Sequence, residues 1–280
     1  MSLSHLLNCG SNKLDLTYPQ VMGILNVTPD SFSDGGQYTH IDKALFQVEK
    51  MITDGASIID IGGESTRPGA KDVSEADEIS RVIPVLKAIE KEFNTIVSID
   101  TSKANVMAEA ISVGAGIIND VRALQNEGCI NVIAQSNVPV CLMHMQGLPR
   151  SMQTNPQYDD IFNDIKTFFI ERIHACEAQG INKQRLILDP GFGFGKTVDQ
   201  NYQLLAQMGQ FNELGLPVLA GLSRKSMIGN LLNREVEERV AGSLATALIA
   251  AQQGAKIIRV HDVKETVDVL TILKTCNQYT

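Results

Sequence analysis

The segment DGASIID at residues 54–60 has two counterparts further along the chain, VGAGIIND at 113–120 and QGAKIIRVHD at 253–262. Each contains a Gly-Ala pair, an Ile-Ile pair and a polar residue directly after it. Glycine is the usual residue just past the end of a helix, and β-branched pairs are typical of buried parallel strands. Each copy therefore predicts the passage from a helix into a strand, and the spacing fits two and four βα units of about 30 to 35 residues.

Five further strands fit before and between these copies, at 21–28, 95–101, 139–145, 185–190 and 217–224. Stretches with apolar residues at helical spacing alternate with the strands, among them 41–55, 74–93, 158–180 and 238–254. Eight βα units in about 250 residues predict an α/β protein of the (β/α)8 TIM-barrel class. A doubly wound open sheet is the rival arrangement. The first residues, with a turn at Gly10-Ser11-Asn12, predict a short N-terminal hairpin that covers the barrel floor.

Composition and charge narrow the class of protein. The 280-residue chain has a net charge of −8 and 44% hydrophobic residues, which is typical of a soluble protein with a large core. The acidic balance argues against a nucleic-acid or membrane partner, and no apolar run approaches the roughly 18 residues of a membrane span. Five cysteines without a CxxC pair predict reduced thiols, most of them filling the core, and a cytoplasmic location. No linker is evident, so residues 1–280 are predicted to form one domain, with the barrel over about 20–275.

Polar residues stand at the end of every predicted strand. They are Asn26, Asp60, Asp100, Asn119 with Asp120, His144, Asp189, the run Ser223-Arg224-Lys225, and Arg259 with His261. A single Asp or Asn in such a position often caps the next helix. Eight such positions favour a site for one polar ligand, because barrel enzymes bind their substrates at this end of the strands. The loops at 26–36 and 62–70 are longer than most βα connections, which favours a functional role for both.

The residue types indicate a flat nitrogen heterocycle and an anion. Carboxylates, an amide and a lysine could pair with the donors and acceptors of such a ring; they are Asp100, Asn119, Asp189 and Lys225. A second set could hold the anion: Asn26, Arg67, Arg259 and His261. His144 and the neighbouring methionines are expected to form pocket wall, because no His, Asp or Cys spacing resembles a zinc site.

The stretch LILDPGFGFGKT at 186–197 approaches two phosphate-binding motifs and matches neither. Pro190 stands where GxxxxGK[ST] requires glycine, and the third glycine of GxGxxG comes one residue early, at Gly195. The glycines therefore need another role, and Lys196 is expected to face the solvent.

Eight long segments carry a more specific signal: MGILNVTPDSFSDGG, GGESTRPGA, SIDTSK, GIINDVRA, CLMHMQG, LDPGFGFGK, GLSRKSMIG and IIRVHDVKET. Over residues 15–270 the chain resembles the bacterial dihydropteroate synthases. The resemblance implies a TIM-barrel transferase of folate biosynthesis. It would join 6-hydroxymethyl-7,8-dihydropterin pyrophosphate to para-aminobenzoate, giving 7,8-dihydropteroate and pyrophosphate. It also implies a homodimer that is a sulfonamide target, with the apolar C-terminal helices serving either as the interface or as core.

The same resemblance assigns roles to individual residues. The pterin would contact Asp100, Asn119, Val121, Met143, Asp189, Lys225 and Arg259. Pyrophosphate would contact Asn26, Arg67, Arg259 and His261, and Asn26 would also bind the cofactor Mg²⁺. Aminobenzoate would contact Thr66, Arg67, Pro68, Phe194 and Ser223. Asp189 would read the amino-oxo edge of the pterin, and the glycines after it would let the backbone approach the ring.

The chemistry requires charge neutralisation of a leaving group rather than a protein nucleophile. Mg²⁺ and cationic side chains would absorb the charge of pyrophosphate, in a dissociative step that Asp100, Lys225, Arg259, His261 and Asn26 would assist. Two rival functions stay open. One is the methyltetrahydrofolate-binding domain of corrinoid methyltransferases, and the other is a non-catalytic pterin-binding paralogue.

Overall fold

Eight parallel strands form a barrel in the computed structural model, which describes residues 6–28, 37–64, 72–147 and 156–279. The barrel strands are β3 (Gln20–Asn26), β4 (Ile58–Gly62), β5 (Ile96–Asp100), β6 (Ile117–Asp120), β7 (Val140–Met143), β8 (Leu186–Asp189), β9 (Leu219–Gly221) and β10 (Ile257–Val260). Neighbours in sequence are neighbours in the sheet from β3 to β8, and β10 lies between β3 and β9. A parallel bridge between Leu188 and Val218 joins β8 to β9. This closure confirms the barrel and excludes the open sheet.

Helices follow the strands in the alternation that the sequence predicts. They are α1 (Gln37–Thr53), α2 (Glu75–Glu92), α3 (Ala104–Val113), α4 (Cys129–Ala134), α5 (Ile161–Ala178), α6 (Val198–Gln207), α7 (Ser226–Leu232), α8 (Val240–Gln252) and α9 (Val263–Cys276). The short helix α7 is additional to the βα repeat, since it lies between β9 and α8. The glycines of the three repeated segments follow α1, α3 and α8, and Gly55, Gly114 and Gly254 all have positive φ. The repeat therefore marks the passage from helix to strand, as predicted.

The predicted N-terminal hairpin is present and closes the floor of the barrel. Its strands are β1 (Leu6–Cys9) and β2 (Asn12–Asp15), which pair antiparallel. Apolar side chains of the hairpin, including Leu7 and Leu14, pack with the first inward-facing residue of each barrel strand. These floor residues are Met22, Ile58, Ile96, Ile117, Cys141, Ile187, Leu219 and Ile257. The polar ligand site must therefore lie above this apolar layer.

The second core lies between the barrel and its helices. Alternate strand residues such as Ile59 and Ile61 pack there with the apolar faces of the helices. Strand side chains alternate between two faces, so one parity of each strand points into the lumen and the other into this shell. Four of the five cysteines are buried, as expected for core filling. The assignment of residues 1–280 to one domain stays a prediction. In the part of the chain described here, no helix is both long and apolar enough to cross a bilayer.

Candidate active site

Side chains alternate along each strand between the lumen and the helical shell, and this alternation (the parity of a residue) decides which polar strand ends reach the lumen. Continuing the inward-facing series of each strand upward from the floor leads to Asn26, Asp60, Asp100, Asn119, Met143, Asp189, Ser223, Arg259 and His261. The structure thus brings together at one end of the barrel most of the residues that the sequence assigns to the site. The helices and the strand register fix their backbones, so the site is built largely on rigid elements.

Arg259 lies at the centre of the lumen network. Its Nε donates to Asp60 Oδ2 at 2.6 Å, and a terminal nitrogen donates to Asp100 Oδ2 at 2.9 Å. The Asn119 amide also donates to Asp60 Oδ2, at 3.2 Å. The guanidinium group therefore joins three strands, and Asn119 of a fourth strand is linked to it through Asp60.

The charges in this network shift one another's titration. Burial raises the pKa of Asp100 to about 7, with the Asp60 charge adding to the rise and Arg259 opposing it. Burial alone would lower the pKa of Arg259, but the carboxylates of Asp60 and Asp100 raise it above its ordinary value. Arg259 is thus a fixed cation, whereas Asp100 can gain or lose a proton near neutral pH.

Asp60 belongs to the lumen network, although the sequence assigned it no individual role. It is completely buried, and its Oδ1 has no hydrogen-bond partner in the structure. Oγ of Ser98, which lies opposite Asp60 in the register, is also without a partner. An unpartnered buried oxygen is costly, so these two atoms point to a group that a ligand or an ordered water supplies. The polar end of strand β4 was the available signal.

Asp189 and Lys225 form the opposite side of the lumen. Asp189 Oδ1 accepts from the amide of Gly191 at 2.8 Å, and burial raises the pKa of this carboxyl while the charge of Lys225 opposes the rise. Lys225 donates to the carbonyl of Phe192, and its Nζ lies 4.6 Å from the centre of the Phe194 ring. Burial lowers the pKa of Lys225 to about 8, although the Asp189 carboxylate opposes this effect. An amine, a carboxylate and an aromatic ring therefore converge here.

Ser223, His261 and Asn26 lie at the mouth of the barrel. Ser223 Oγ lies 3.0 Å from Nδ1 of His261 and accepts from the His261 amide at 3.2 Å. Asn26 is exposed, and its Oδ1 borders a space above Gly62 that Asp100 borders from the other side. A Cβ at position 62 would lie 3.7 Å from Asn26 Oδ1 and 3.9 Å from Asp100 Oδ2. Val121, just after β6, is half-buried.

Three polar residues at strand ends, Asp120, His144 and Arg224, have the other parity, so their side chains point toward the helical shell. Both carboxylate oxygens of Asp120 are used at the start of the next segment: Oδ1 accepts from the Arg122 amide at 2.8 Å and Oδ2 from the Leu124 amide at 2.7 Å. Arg224 forms a two-point ion pair with Asp262.

The expectation that His144 is pocket wall was wrong, because its ring packs against the helical shell, with its centre 5.0 Å from that of the Phe168 ring of α5. Met143, one residue earlier, has the lumen parity.

The expectation of a solvent-facing Lys196 was also wrong. The residue is 3% exposed, and its Nζ is enclosed by two loop carbonyls and the His144 ring.

The assignments to Thr66, Arg67 and Pro68 lie outside the described residues. Within the described residues, no group of three or more His, Cys, Asp or Glu side chains could hold a metal ion.

Comparison with known proteins identifies the barrel. A family model described as pterin binding enzyme matches residues 22–261. The dihydropteroate synthase of Haemophilus influenzae is 56% identical over 259 residues, which cover 92% of this chain and 94% of the relative. The Escherichia coli enzyme is 56% identical over 261 residues, or 93% of each chain. The chain belongs to the dihydropteroate synthase family.

Solved structures of this family superpose closely on the barrel. The Yersinia pestis dihydropteroate synthase in complex with a sulfonamide drug has a TM-score of 0.93 and 54% sequence identity, over 98% of this chain and 99% of that one. The Xanthomonas albilineans dihydropteroate synthase with 4-aminobenzoic acid has a TM-score of 0.93 and 50% identity, over 98% of each chain. The fold and the family inferred from the eight segments are both confirmed.

Proposed function

We propose that the protein joins 6-hydroxymethyl-7,8-dihydropterin pyrophosphate to para-aminobenzoate, releasing pyrophosphate and 7,8-dihydropteroate. Family membership supports this activity, and one observation in the structure carries it for this chain. The lumen holds a converging set of carboxylates, an amide and two cations above an apolar floor. Such a set can pair with the polar edges of a pterin while the ring stays out of water.

The two sides of the lumen would bind opposite edges of the pterin ring. Asp189, which has one oxygen on the Gly191 amide, would accept from the amino and ring N–H groups in charge-assisted bonds. Lys225 would donate to the ring carbonyl. Asp100 and Asn119 would meet the opposite edge, and the Arg259 guanidinium would stack on the ring face. Val121 and Met143 would line the walls.

Charge neutralisation would drive the departure of pyrophosphate. Arg259 and His261, which alternate along one strand end, would bind the leaving group together with Asn26 and Arg67. The bond from the methylene carbon to the pyrophosphate oxygen breaks with its electron pair leaving on pyrophosphate, and the electron-rich dihydropterin stabilises the cation. The neutral arylamine then attacks that carbon and loses a proton, so no protein nucleophile is needed.

We propose that Asn26 would hold Mg²⁺ at the mouth of the lumen. Its carboxamide oxygen and the Asp100 carboxylate both border the space above Gly62, and Mg²⁺ is usually bound by one or two carboxylates together with phosphate oxygens and water. The residues present therefore fit this cofactor. Bound there, Mg²⁺ would supply positive charge to the leaving pyrophosphate.

Aminobenzoate would bind at the mouth of the lumen, above the pterin. Phe194 would contact its ring and Ser223 its carboxylate, with Thr66, Arg67 and Pro68 completing the site. The ring of Phe194 already lies against Lys225, so both substrates would meet at the same lysine. A sulfonamide would bind here because it resembles aminobenzoate in shape.

A pyrophosphate-release assay with both substrates tests this function. We expect release that depends on both substrates and stops when EDTA removes the divalent ion, with recovery on addition of Mg²⁺. A methyltetrahydrofolate-binding methyltransferase domain or a non-catalytic paralogue would release no pyrophosphate. Release that is unaffected by EDTA would contradict the proposed role of Mg²⁺ and leave the transferase activity standing.

We also propose that the protein is a cytoplasmic homodimer. Large apolar side chains are exposed on the last three helices: Leu231 and Leu232 of α7, Ile249 of α8 and Ile272 of α9. Burying them against a second copy would remove this apolar surface from water. Sedimentation velocity of the protein and of an Ile249→Lys variant tests the proposal: we expect a dimer that the substitution weakens, and a monomeric wild type would contradict it.

A further inference from the structure

Lys196 is a buried cation for which neither the pterin nor the aminobenzoate site has a use. Its Nζ lies 2.8 Å from the Gly191 carbonyl, 3.0 Å from the Phe194 carbonyl and 3.1 Å from Nδ1 of His144. An ammonium group has three N–H donors and no acceptor. The three neighbours can therefore each accept one N–H of the charged side chain, with Nδ1 of His144 as the third acceptor.

The surroundings of Lys196 act on its charge in two opposing ways. Burial of a lysine is costly unless its donors are satisfied, and burial lowers the pKa of Lys196 well below its ordinary value while Asp189 opposes the shift. Burial and the charge of Lys196 lower the pKa of His144 to about 2. A neutral imidazole can accept from the Lys196 ammonium at Nδ1 in the tautomer that carries its proton on Nε2.

The carbonyls that bind Lys196 belong to the loop that lines the lumen. This loop, residues 190–196, has glycines with positive φ at 191, 193 and 195. It runs directly against the chain after β7, since a Cβ on Gly191 would lie 1.9 Å from the His144 carbonyl and one on Gly195 would lie 2.4 Å from the Gln146 carbonyl. Glycine is therefore obligatory at both points.

The opposite side of the same loop faces the substrates. The Phe192 carbonyl accepts from Lys225, and the Phe194 ring lies under the Lys225 ammonium. The Gly191 amide donates to Asp189. Each of these three contacts is within two residues of a carbonyl that Lys196 holds, so a shift of the loop about Lys196 would move all of them.

We propose that Lys196 is a positioning residue of the active site: together with His144 it holds the loop after β8 in the shape that sets Asp189, Lys225 and Phe194 against the two substrates. The proposal rests on the function proposed above and extends it. It gives the glycine-rich loop a role other than phosphate binding, because its carbonyls bind the Lys196 ammonium.

Kinetics of a Lys196→Met variant test the proposal, with Lys183→Met, an exposed lysine next to β8, as the matched control. Methionine keeps the length of the side chain and needs no hydrogen bonds. We expect KM for aminobenzoate to rise about tenfold, because the loss of the loop's central donors releases Phe194. The melting temperature should fall as well, because the Gly191 and Phe194 carbonyls lose their donor, so KM for aminobenzoate is the deciding measurement. A lower melting temperature with an unchanged KM would overturn the proposal.

A His144→Phe variant provides a second arm that does not depend on Lys196→Met folding. It keeps a ring against Phe168 and removes only the acceptor. We expect a smaller rise in the same KM, and a double variant whose effect is less than the product of the single ones. Independent, multiplying effects would contradict a shared role. A wild type that releases no pyrophosphate would instead reject the proposed function, and calorimetry of pterin pyrophosphate binding would then still compare the same variants.

Discussion

Asn119 and Asp120 are adjacent at the end of one strand and serve different regions of the molecule. Asn119 points into the lumen and donates to Asp60 across the barrel, whereas Asp120 points into the helical shell. Asp120 accepts from the nearby amides of Arg122 and Leu124 and from the hydroxyl of Ser102, in the loop after β5, at 2.5 Å. Strand ends whose side chains point into the lumen would thus form the proposed ligand site, whereas Asp120, whose side chain points into the shell, holds a loop in place.

The two regions also differ in how fully their polar atoms are satisfied. Asp120 has partners on both oxygens, while Asp60 has one oxygen without a partner and Ser98 lacks one for its hydroxyl. Among the described residues, the only other buried side-chain atom in this state is Glu78 Oε1, outside the lumen. Unused hydrogen-bonding capacity therefore concentrates where a ligand is expected. Substitutions in the two regions should accordingly affect activity and stability separately.

The largest expected effect on activity is that of Arg259→Met. The substitution removes the cation that pairs with Asp60 and Asp100 and that would stabilise the leaving pyrophosphate. We expect kcat/KM to fall about 10²- to 10³-fold, as for the loss of one transition-state donor. The matched control is Arg172→Met in the shell, where the arginine donates to the carbonyls of Ala123 and Leu124. A similar loss of kcat/KM in both variants would contradict the division between lumen and shell.

Asp100→Asn should change the pH profile as well as the rate. With a pKa of about 7, Asp100 is protonated below neutral pH and loses an acceptor, whereas Lys225, with a pKa of about 8, loses its charge above that value. The profile of kcat/KM should therefore fall on the acid side near pH 7 and on the alkaline side near pH 8. In Asp100→Asn the acid limb should disappear and the alkaline limb should remain. An acid limb that persists unchanged would assign it to another group.

Asp60→Asn should have an intermediate effect. Asp60 holds the Nε of Arg259 and accepts from Asn119, and asparagine removes the charge without changing the shape. We expect kcat/KM to fall about tenfold, because one charge-assisted bond becomes neutral. The loss should appear in pyrophosphate release and in the affinity for pterin pyrophosphate. A wild-type rate in this variant would show that Arg259 does not need Asp60 for its orientation.

Asp120→Ala should have the smallest effect on activity and a clear one on stability. Removal of the carboxylate leaves the amides of Arg122 and Leu124 without their acceptor, which should cost about 1–3 kcal/mol. The free energy of unfolding in urea measures this loss. The kcat of the folded variant should stay within about twofold of the wild type, since the site does not use this side chain. A selective rise in KM for the pterin would place Asp120 in the site.

The barrel could be predicted from local signals that recur along the chain. The Gly-Ala-x-Ile-Ile segments mark helix ends and strand starts, and the hairpin has its own glycine turn. Period-two alternation, counted from the Ile-Ile pairs, also separates Asn119 from Asp120, so the lumen side of most strand ends was within reach of the sequence.

The remaining features depend on contacts between loops. Lys196 is a charged residue beside glycines, which indicates exposure, and its burial follows from carbonyls that three positive-φ glycines turn inward. The position of His144 along its strand predicts that the side chain points toward the shell, but its partner Lys196 lies 52 residues away in sequence. The role of Asp60 depends on Arg259, 199 residues further on. Such long-range polar pairs have no signature in local composition.

Calorimetry of pterin pyrophosphate binding to Asp189→Asn tests most directly whether the lumen is the pterin site. The substitution keeps the shape and removes the charge from the carboxylate that would pair with the amino and ring N–H groups. We predict a loss of roughly 2–4 kcal/mol in binding free energy, while Asp120→Ala binds the ligand as the wild type does. Wild-type affinity in Asp189→Asn would contradict the lumen assignment.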